Sequence, residues 1–193
     1  MSKVTIVLGE SDIKPEGCVI GVDYGAYVCA RDGVEMILAC GDFDSVTDDQ
    51  FNLIESVTRV DRLNPIKDLT DFEHALTYTD AYDEILVLGG LGNRRDHEYI
   101  NIILASKDAR ITLMDSVNRI KKYDAGVHRI EKGDYQYCSF IVITEGLITL
   151  DGFKYPLVDR KIHVGDTYLT SNEILEDVGT LTLDNASVLC IQT

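Results

Sequence analysis

Tryptophan is absent from the 193 residues, prolines number only 3, and lysine and arginine together contribute 18 positive charges against 33 negative ones from aspartate and glutamate. The shortage of positive charge leaves a formal net charge of −15. Such a chain repels a polyanion at long range, so nucleic acid and an anionic membrane surface are disfavoured as partners. Long apolar runs are missing too. Val4-Thr5-Ile6-Val7-Leu8 falls far short of a secretion-signal core, and nothing approaches the roughly 20 apolar residues that span a bilayer. A cytoplasmic location is the expectation. Cysteines number 5, at positions 18, 29, 40, 138 and 190. They form no C-x-x-C pair and no Cys/His cluster of zinc spacing, and an odd count suits no disulfide framework. Reduced, buried thiols are expected, Cys40 among them, because cysteine packs as a small apolar residue inside a strand.

What is present is a globular composition, 45% hydrophobic and 26% charged, enough for one large domain or two small ones with cores. In the first half, short β-like runs at residues 4–8, 18–22, 36–40, 58–63, 85–88 and 110–114 alternate with helical patterns. Thr47 with the acids Asp48 and Asp49 predicts a helix start before Phe51, Leu53, Ile54 and Val57. Thr70 with Glu73 reads as a capping box, followed by Phe72, Ala75, Leu76 and Thr79 at helical spacing. A third helix over 97–106 is expected to bury Ile100, Ile103 and Leu104. Strands alternating with helices imply a mainly parallel α/β sheet. Beyond about Asp124 no helical period recurs, and Val, Ile, Thr and Tyr runs are punctuated by glycines. That texture predicts an all-β sandwich, with strands over 139–144, 147–150, 179–183 and 187–191 and a hairpin turn at Asp184-Asn185. Two domains are therefore expected, residues 1–124 and 125–193.

Open parallel sheets bind ligands outside the carboxyl ends of their strands. Four polar clusters follow the strand runs: Gly21-Val22-Asp23-Tyr24-Gly25-Ala26, Gly41-Asp42-Phe43-Asp44-Ser45, Lys67-Asp68-Leu69-Thr70-Asp71, and Gly89-Gly90-Leu91-Gly92-Asn93-Arg94-Arg95-Asp96-His97. In an extended segment Asp42 and Asp44 point to one side, as oxygen ligands of a hard cation such as Mg²⁺ do. Asp68 and Asp71, three apart at a helix start, share a face. Either pair alone also reads as an ordinary turn or an acidic helix N-terminus; both at one sheet edge, beside glycines, favour a metal site. The glycines at 89–92 lie between a strand and a helix, where backbone N–H groups cradle phosphate and Arg94 or Arg95 adds charge, although neither standard nucleotide loop is matched.

In this order, the four clusters, with Gly152-Phe153-Lys154-Tyr155-Pro156-Leu157 and Ser171-Asn172-Glu173 after them, resemble the motifs of the thiamine pyrophosphokinases across nearly the whole chain. The resemblance implies an N-terminal α/β catalytic domain, a C-terminal β-sandwich that binds thiamine, and a homodimer with sites between subunits. It implies the reaction ATP + thiamine → AMP + thiamine diphosphate. Asp42, Asp44 and Asp71 are the leading metal ligands, with Asp68 behind them; Arg94 would meet the phosphates and Asp96 the attacking hydroxyl. Asp23, Gly41 and Thr70 would border the nucleotide, and Ser171 and Asn172 the thiamine. The chain departs from the family where Tyr24-Gly25 and Gly92-Asn93 replace Gly-Gly pairs, and any ring that stacks on thiamine must be Tyr or Phe. Two other readings remain. Asp42-Phe43-Asp44-Ser45-Val46 also fits the D-x-D-x-[T/V] pattern of haloacid-dehalogenase-like phosphatases, with Asp42 as nucleophile. A non-enzymatic thiamine- or nucleotide-binding regulator on the same scaffold is the third.

Overall fold

Strands that are apolar at nearly every position, rather than at alternate ones, belong where both faces of a sheet are covered. In the computed structural model, which describes residues 2–63, 69–92 and 94–193, β1 (Lys3–Val7), β2 (Cys18–Val22) and β3 (Leu38–Gly41) are buried along almost their whole length. With β4 (Val60–Arg62), β5 (Glu84–Leu88) and β6 (Ile111–Met114) they form a parallel array in the order β4-β3-β2-β1-β5-β6. The central β1 is where the order reverses. Helices α1 (Tyr24–Arg31), α2 (Asp48–Val57), α3 (Asp71–Leu76) and α4 (Arg95–Lys107) lie between the strands. One compact unit comprises the chain up to Leu104 with Arg110–Ser116, and a second comprises Ala105–Ala109 with Val117–Thr193.

The helix starts at Thr47 and Thr70 form as their residue types dictate. Thr47 and Gln50 make a reciprocal capping box, whereas Thr70 Oγ1 accepts from the Glu73 N–H at 3.1 Å without the reciprocal bond. Two details of this unit differ from expectation. Helix α1, in a segment read only as a polar, glycine-bearing cluster after a strand, begins directly after Asp23. It is held by burial of Ala26 and Cys29 against Val7, Val19, Ala39 and Ile54, and Val28 is buried as well. In α4, Leu104 is buried but Ile100 is 40% exposed, and the neighbouring Asn101 turns inward instead.

The second unit is an antiparallel sandwich. One layer has the order β11-β10-β12-β8, built from β8 (Gly126–Glu131), β10 (Gly146–Asp151), β11 (Leu157–Ile162) and β12 (Val178–Asp184). In the other, β13 (Ser187–Gln192) pairs with both β7 (Arg119–Tyr123) and β9 (Cys138–Thr144). Between the layers lie Ile130, Phe140, Ile148, Phe153, Leu181 and Val188. The sulfurs of Cys138 and Cys190 also lie there, 3.5 Å apart. The hydrogen bond with Cys138, together with burial, pushes the Cys190 thiol well above its ordinary range. Among the described residues no disulfide forms. The turn at Asp184-Asn185 is present, with Asn185 at φ 51°. It is not a hairpin: β12 and β13 belong to different layers, so the turn carries the chain from one to the other.

Candidate active site

The carboxyl ends of the parallel strands bring three carboxylates together. Asp23 follows β2, Asp42 follows β3, and Asp71 is the first residue of α3; one oxygen from each lies within 4.8 Å of the others. Asp23 is held in an unusual backbone conformation (φ 48°) as the residue before α1. Its N–H donates to the Cys40 carbonyl at 3.1 Å and its Oδ1 accepts from the Phe43 N–H at 2.9 Å. Gly41 makes room for it, because a Cβ there would stand 2.0 Å from Asp23 Oδ1. Burial pushes the Asp23 carboxyl up to about 7, and the charges of Asp71 and Asp42 add to the rise against the opposing Phe43 N–H bond. Such a set of hard, mutually repelling oxygens fits a divalent cation of the Mg²⁺ type.

Helix α3 is fastened at its other end. Asp61 of β4 accepts from the Tyr78 hydroxyl and lies 3.1 Å from His74 Nε2. Asp44 stands apart from the cluster. Phe43 takes φ 60°, so the segment is not extended, and the alternation that would align Asp42 with Asp44 does not apply. The exposed Asp44 donates its backbone N–H to Asp42 Oδ1 at 3.1 Å, and its charge raises the Arg94 pKa slightly beyond the larger effect of Asp96. Asp68 lies outside the described residues.

Beside the carboxylates opens a cleft of about 560 Å³, lined among others by Asp23, Thr70, Asp71, Arg94, Asp96 and the glycines at 89, 90 and 92. Arg94 Nη2 donates to Asp96 Oδ2 at 2.6 Å and Nε to Oδ1 at 3.3 Å. This hydrogen bonding holds the Asp96 carboxyl well below the usual carboxylate range. Asn101, which the apolar stripe of α4 did not reveal, donates from Nδ2 to the Gly90 carbonyl at 2.8 Å and so pins the glycine loop from beneath. A buried amide one residue from the predicted stripe was the available signal. Asp23, expected at the nucleotide border, lines the cleft and also joins the carboxylates, as its position directly after a strand allowed.

In the sandwich, Ser171 is exposed at φ 56° and its N–H donates to Ser139 Oγ at 2.9 Å. Asn172 is buried. Its Oδ1 accepts from the N–H groups of Tyr155 and Glu173 at 3.0 and 2.9 Å, and its Nδ2 donates to the Tyr155 carbonyl at 2.9 Å. The Asn172 side chain thus shapes the loop that carries the exposed Tyr155.

An α/β unit with a carboxylate cluster and a glycine loop at its strand ends, followed by a β-sandwich, defines a class of group-transfer enzymes, and the likeness to known proteins narrows it. The thiamin pyrophosphokinase catalytic domain matches residues 11–114, and the vitamin B1 binding domain of the same enzymes matches residues 127–188. Thiamine pyrophosphokinase of Bacillus subtilis is 34% identical over 184 residues, covering 90% of this chain and 86% of the relative. The crystal structure of thiamine pyrophosphokinase from Bacillus subtilis superposes with a TM-score of 0.89 at 31% identity, over 99% of this chain and 98% of the other. Thiamin pyrophosphokinase from Geobacillus thermodenitrificans gives 0.86 at 29% identity, over 98% and 97%. The chain belongs to the thiamin pyrophosphokinase family and, with it, to the thiamine diphosphokinases.

Proposed function

We propose that this chain transfers the pyrophosphoryl group of ATP to the hydroxyl of thiamine, and that it does so in the cleft beside Asp23, Asp42 and Asp71. The observation that carries the reading is the convergence of those three carboxylates at the strand ends beside the glycine loop. The thiamine hydroxyl oxygen bonds to the β-phosphorus, the bridge between the α- and β-phosphates breaks, and AMP leaves. Asp23, Asp42 and Asp71 would hold Mg²⁺, which when bound neutralises phosphate charge. The other groups position and stabilise. Arg94 pairs with the phosphates, and the backbone N–H groups of the glycine loop receive their oxygens. Asp44, close enough to influence Arg94, borders the same region, Thr70 lines the cleft, and Gly41, packed against Asp23, would border the nucleotide through it. Asp96 orients the attacking hydroxyl. With its carboxyl held well below the usual range by Arg94, it is a weak proton store, and the proton leaves to solvent.

The division of labour follows the motifs: residues 1–124 serve ATP and the cation, and residues 125–193, with Ser171 and Asn172, serve thiamine. The working form is a homodimer, in a reducing cytoplasmic setting that suits the described cysteines. No helix of the described residues is long and apolar enough to cross a membrane. The phosphatase reading is not favoured, because Asp42 follows the third strand rather than the first and the second unit is all β. Nor is a non-enzymatic regulator, since the carboxylates are intact.

Incubation with thiamine, Mg²⁺ and ATP labelled at the β-phosphate tests the proposal. AMP together with labelled thiamine diphosphate is the expected outcome; inorganic phosphate alone supports the phosphatase, and no turnover supports the regulator.

A further inference from the structure

At the β1 side of the cleft a second constellation of side chains plays no part in the chemistry described above. Glu10, three residues beyond β1, and Tyr24, the first residue of α1, both line the cleft. They are brought together by Gly25, where a Cβ would stand 2.1 Å from the Val7 carbonyl oxygen, so the first turn of α1 lies directly against the end of β1. The Tyr24 hydroxyl donates to Glu10 Oε1 at 3.3 Å. Arg31 grips the same carboxylate with two bonds, Nη1 to Oε1 at 2.7 Å and Nη2 to Oε2 at 3.0 Å. The remaining guanidinium capacity goes to Asp32, with Nε to Oδ1 at 2.7 Å and Nη2 to Oδ2 at 2.9 Å. Behind Tyr24 stands Tyr27, its ring centroid 5.6 Å away and tilted by 50°.

We infer that Tyr24, Glu10 and Arg31 form the wall that receives the nucleoside half of the nucleotide, with the Tyr24 ring stacking on the base and Glu10 accepting from the ribose hydroxyls. The inference rests on the nucleotide reading of the cleft given above. Charge decides which half of the nucleotide this wall takes. Arg31 is shared between two carboxylates, so the wall carries no spare positive charge and repels phosphate, whereas Arg94 and the glycine loop supply the phosphate end. Glu10 is matched by a bidentate guanidinium and is therefore a fixed acceptor rather than a bare charge in search of a cation such as thiazolium. A planar aromatic face beside a preorganised acceptor suits an uncharged heterocycle bearing a diol. An acidic residue that hydrogen-bonds ribose hydroxyls at a parallel-sheet edge is a recurrent solution to the same problem.

Calorimetric titration of the full chain with AMP, 2′,3′-dideoxy-AMP, inorganic pyrophosphate and thiamine tests this. Tyr24→Ala should weaken AMP about tenfold or more, the order expected when a stacking ring is lost. Tyr24→Phe should retain most of the affinity. Glu10→Gln should weaken AMP several-fold while leaving dideoxy-AMP unchanged, and pyrophosphate should bind all variants as it binds the unaltered protein. Glu10 is exposed at the surface, so its variant carries the test even if Tyr24→Ala does not fold. Unaltered protein that binds AMP while Glu10→Gln matches it for every ligand overturns the inference and leaves the nucleotide reading standing, as does a folded Tyr24→Ala that binds AMP undiminished. Loss of thiamine affinity in place of AMP affinity overturns it as well. Failure of the unaltered protein to bind AMP or ATP overturns both.

Discussion

The Asp23 carboxylate occupies the space that a side chain at Gly41 would fill, with Oδ1 2.0 Å from the position of the missing Cβ. Gly41 also has φ 142°, a conformation that L side chains rarely adopt. Steric and backbone costs therefore fall on the same residue. Gly41→Ala is expected to displace Asp23, to cost roughly 1–3 kcal/mol of stability, and to cut Mg²⁺-dependent turnover at least tenfold. Thermal unfolding and steady-state kinetics check it, and a variant of normal midpoint and turnover would show that Asp23 does not depend on this gap.

Removing one negative charge from the cluster without changing its volume separates a cation site from a structural one. Asp42→Asn and Asp71→Asn are each expected to lower turnover by orders of magnitude while preserving the far-UV circular dichroism spectrum. Near-normal Mg²⁺-dependent activity in both would remove the cluster from the chemistry.

The Asp23 carboxyl, raised to about 7 from an ordinary 3.8, makes stability depend on pH in a definite direction. Between those values the folded protein holds more protons than the unfolded chain, so the contribution is complete below about pH 4 and is lost as pH rises through about 7. In EDTA, the unaltered protein should therefore lose thermal midpoint relative to Asp23→Asn as pH is raised from about 5 to about 8. Mg²⁺ should restore it in the unaltered protein alone, because only there does a full set of carboxylates await a cation. Parallel pH profiles with and without Mg²⁺ would contradict the assignment.

A nucleophilic Asp42 would become phosphorylated, whereas one that serves a cation site would not. Mass spectrometry of peptides spanning Asp42 after incubation with ATP is expected to find no aspartyl-phosphate. A modified peptide would revive the phosphatase reading.

Much of this arrangement is legible in the sequence because strand ends are where composition changes most abruptly. Apolar runs stop at Val22 and Gly41, acids follow at once, and the topology of a parallel sheet brings those stops to one rim. Helix α1 was not legible. Tyr24-Gly25 is a poor helix start by intrinsic preference, and the helix exists because Ala26, Val28 and Cys29 are buried against the sheet. The alignment of Asp42 with Asp44 presumed an extended backbone, and Phe43 breaks it by burying its ring against Phe51, 5.0 Å between centroids. Asn101 defeats an apolar-stripe reading because a polar side chain is tolerated inside when a carbonyl awaits it. In the sandwich, β7, β8 and β11 carry lysines, arginines and acids on their outward faces, which hides the few inward residues that make them strands.

The adjacent thiols of Cys138 and Cys190 turn the sandwich into its own clock. Sealed between two sheets, they react with an alkylating reagent only when the layers separate. At high reagent concentration the rate of labelling at these two positions therefore equals the rate of opening, and at low concentration it reports the open population. Peptide-resolved alkylation with and without thiamine would thus read directly whether the vitamin closes this half of the chain or leaves its breathing untouched.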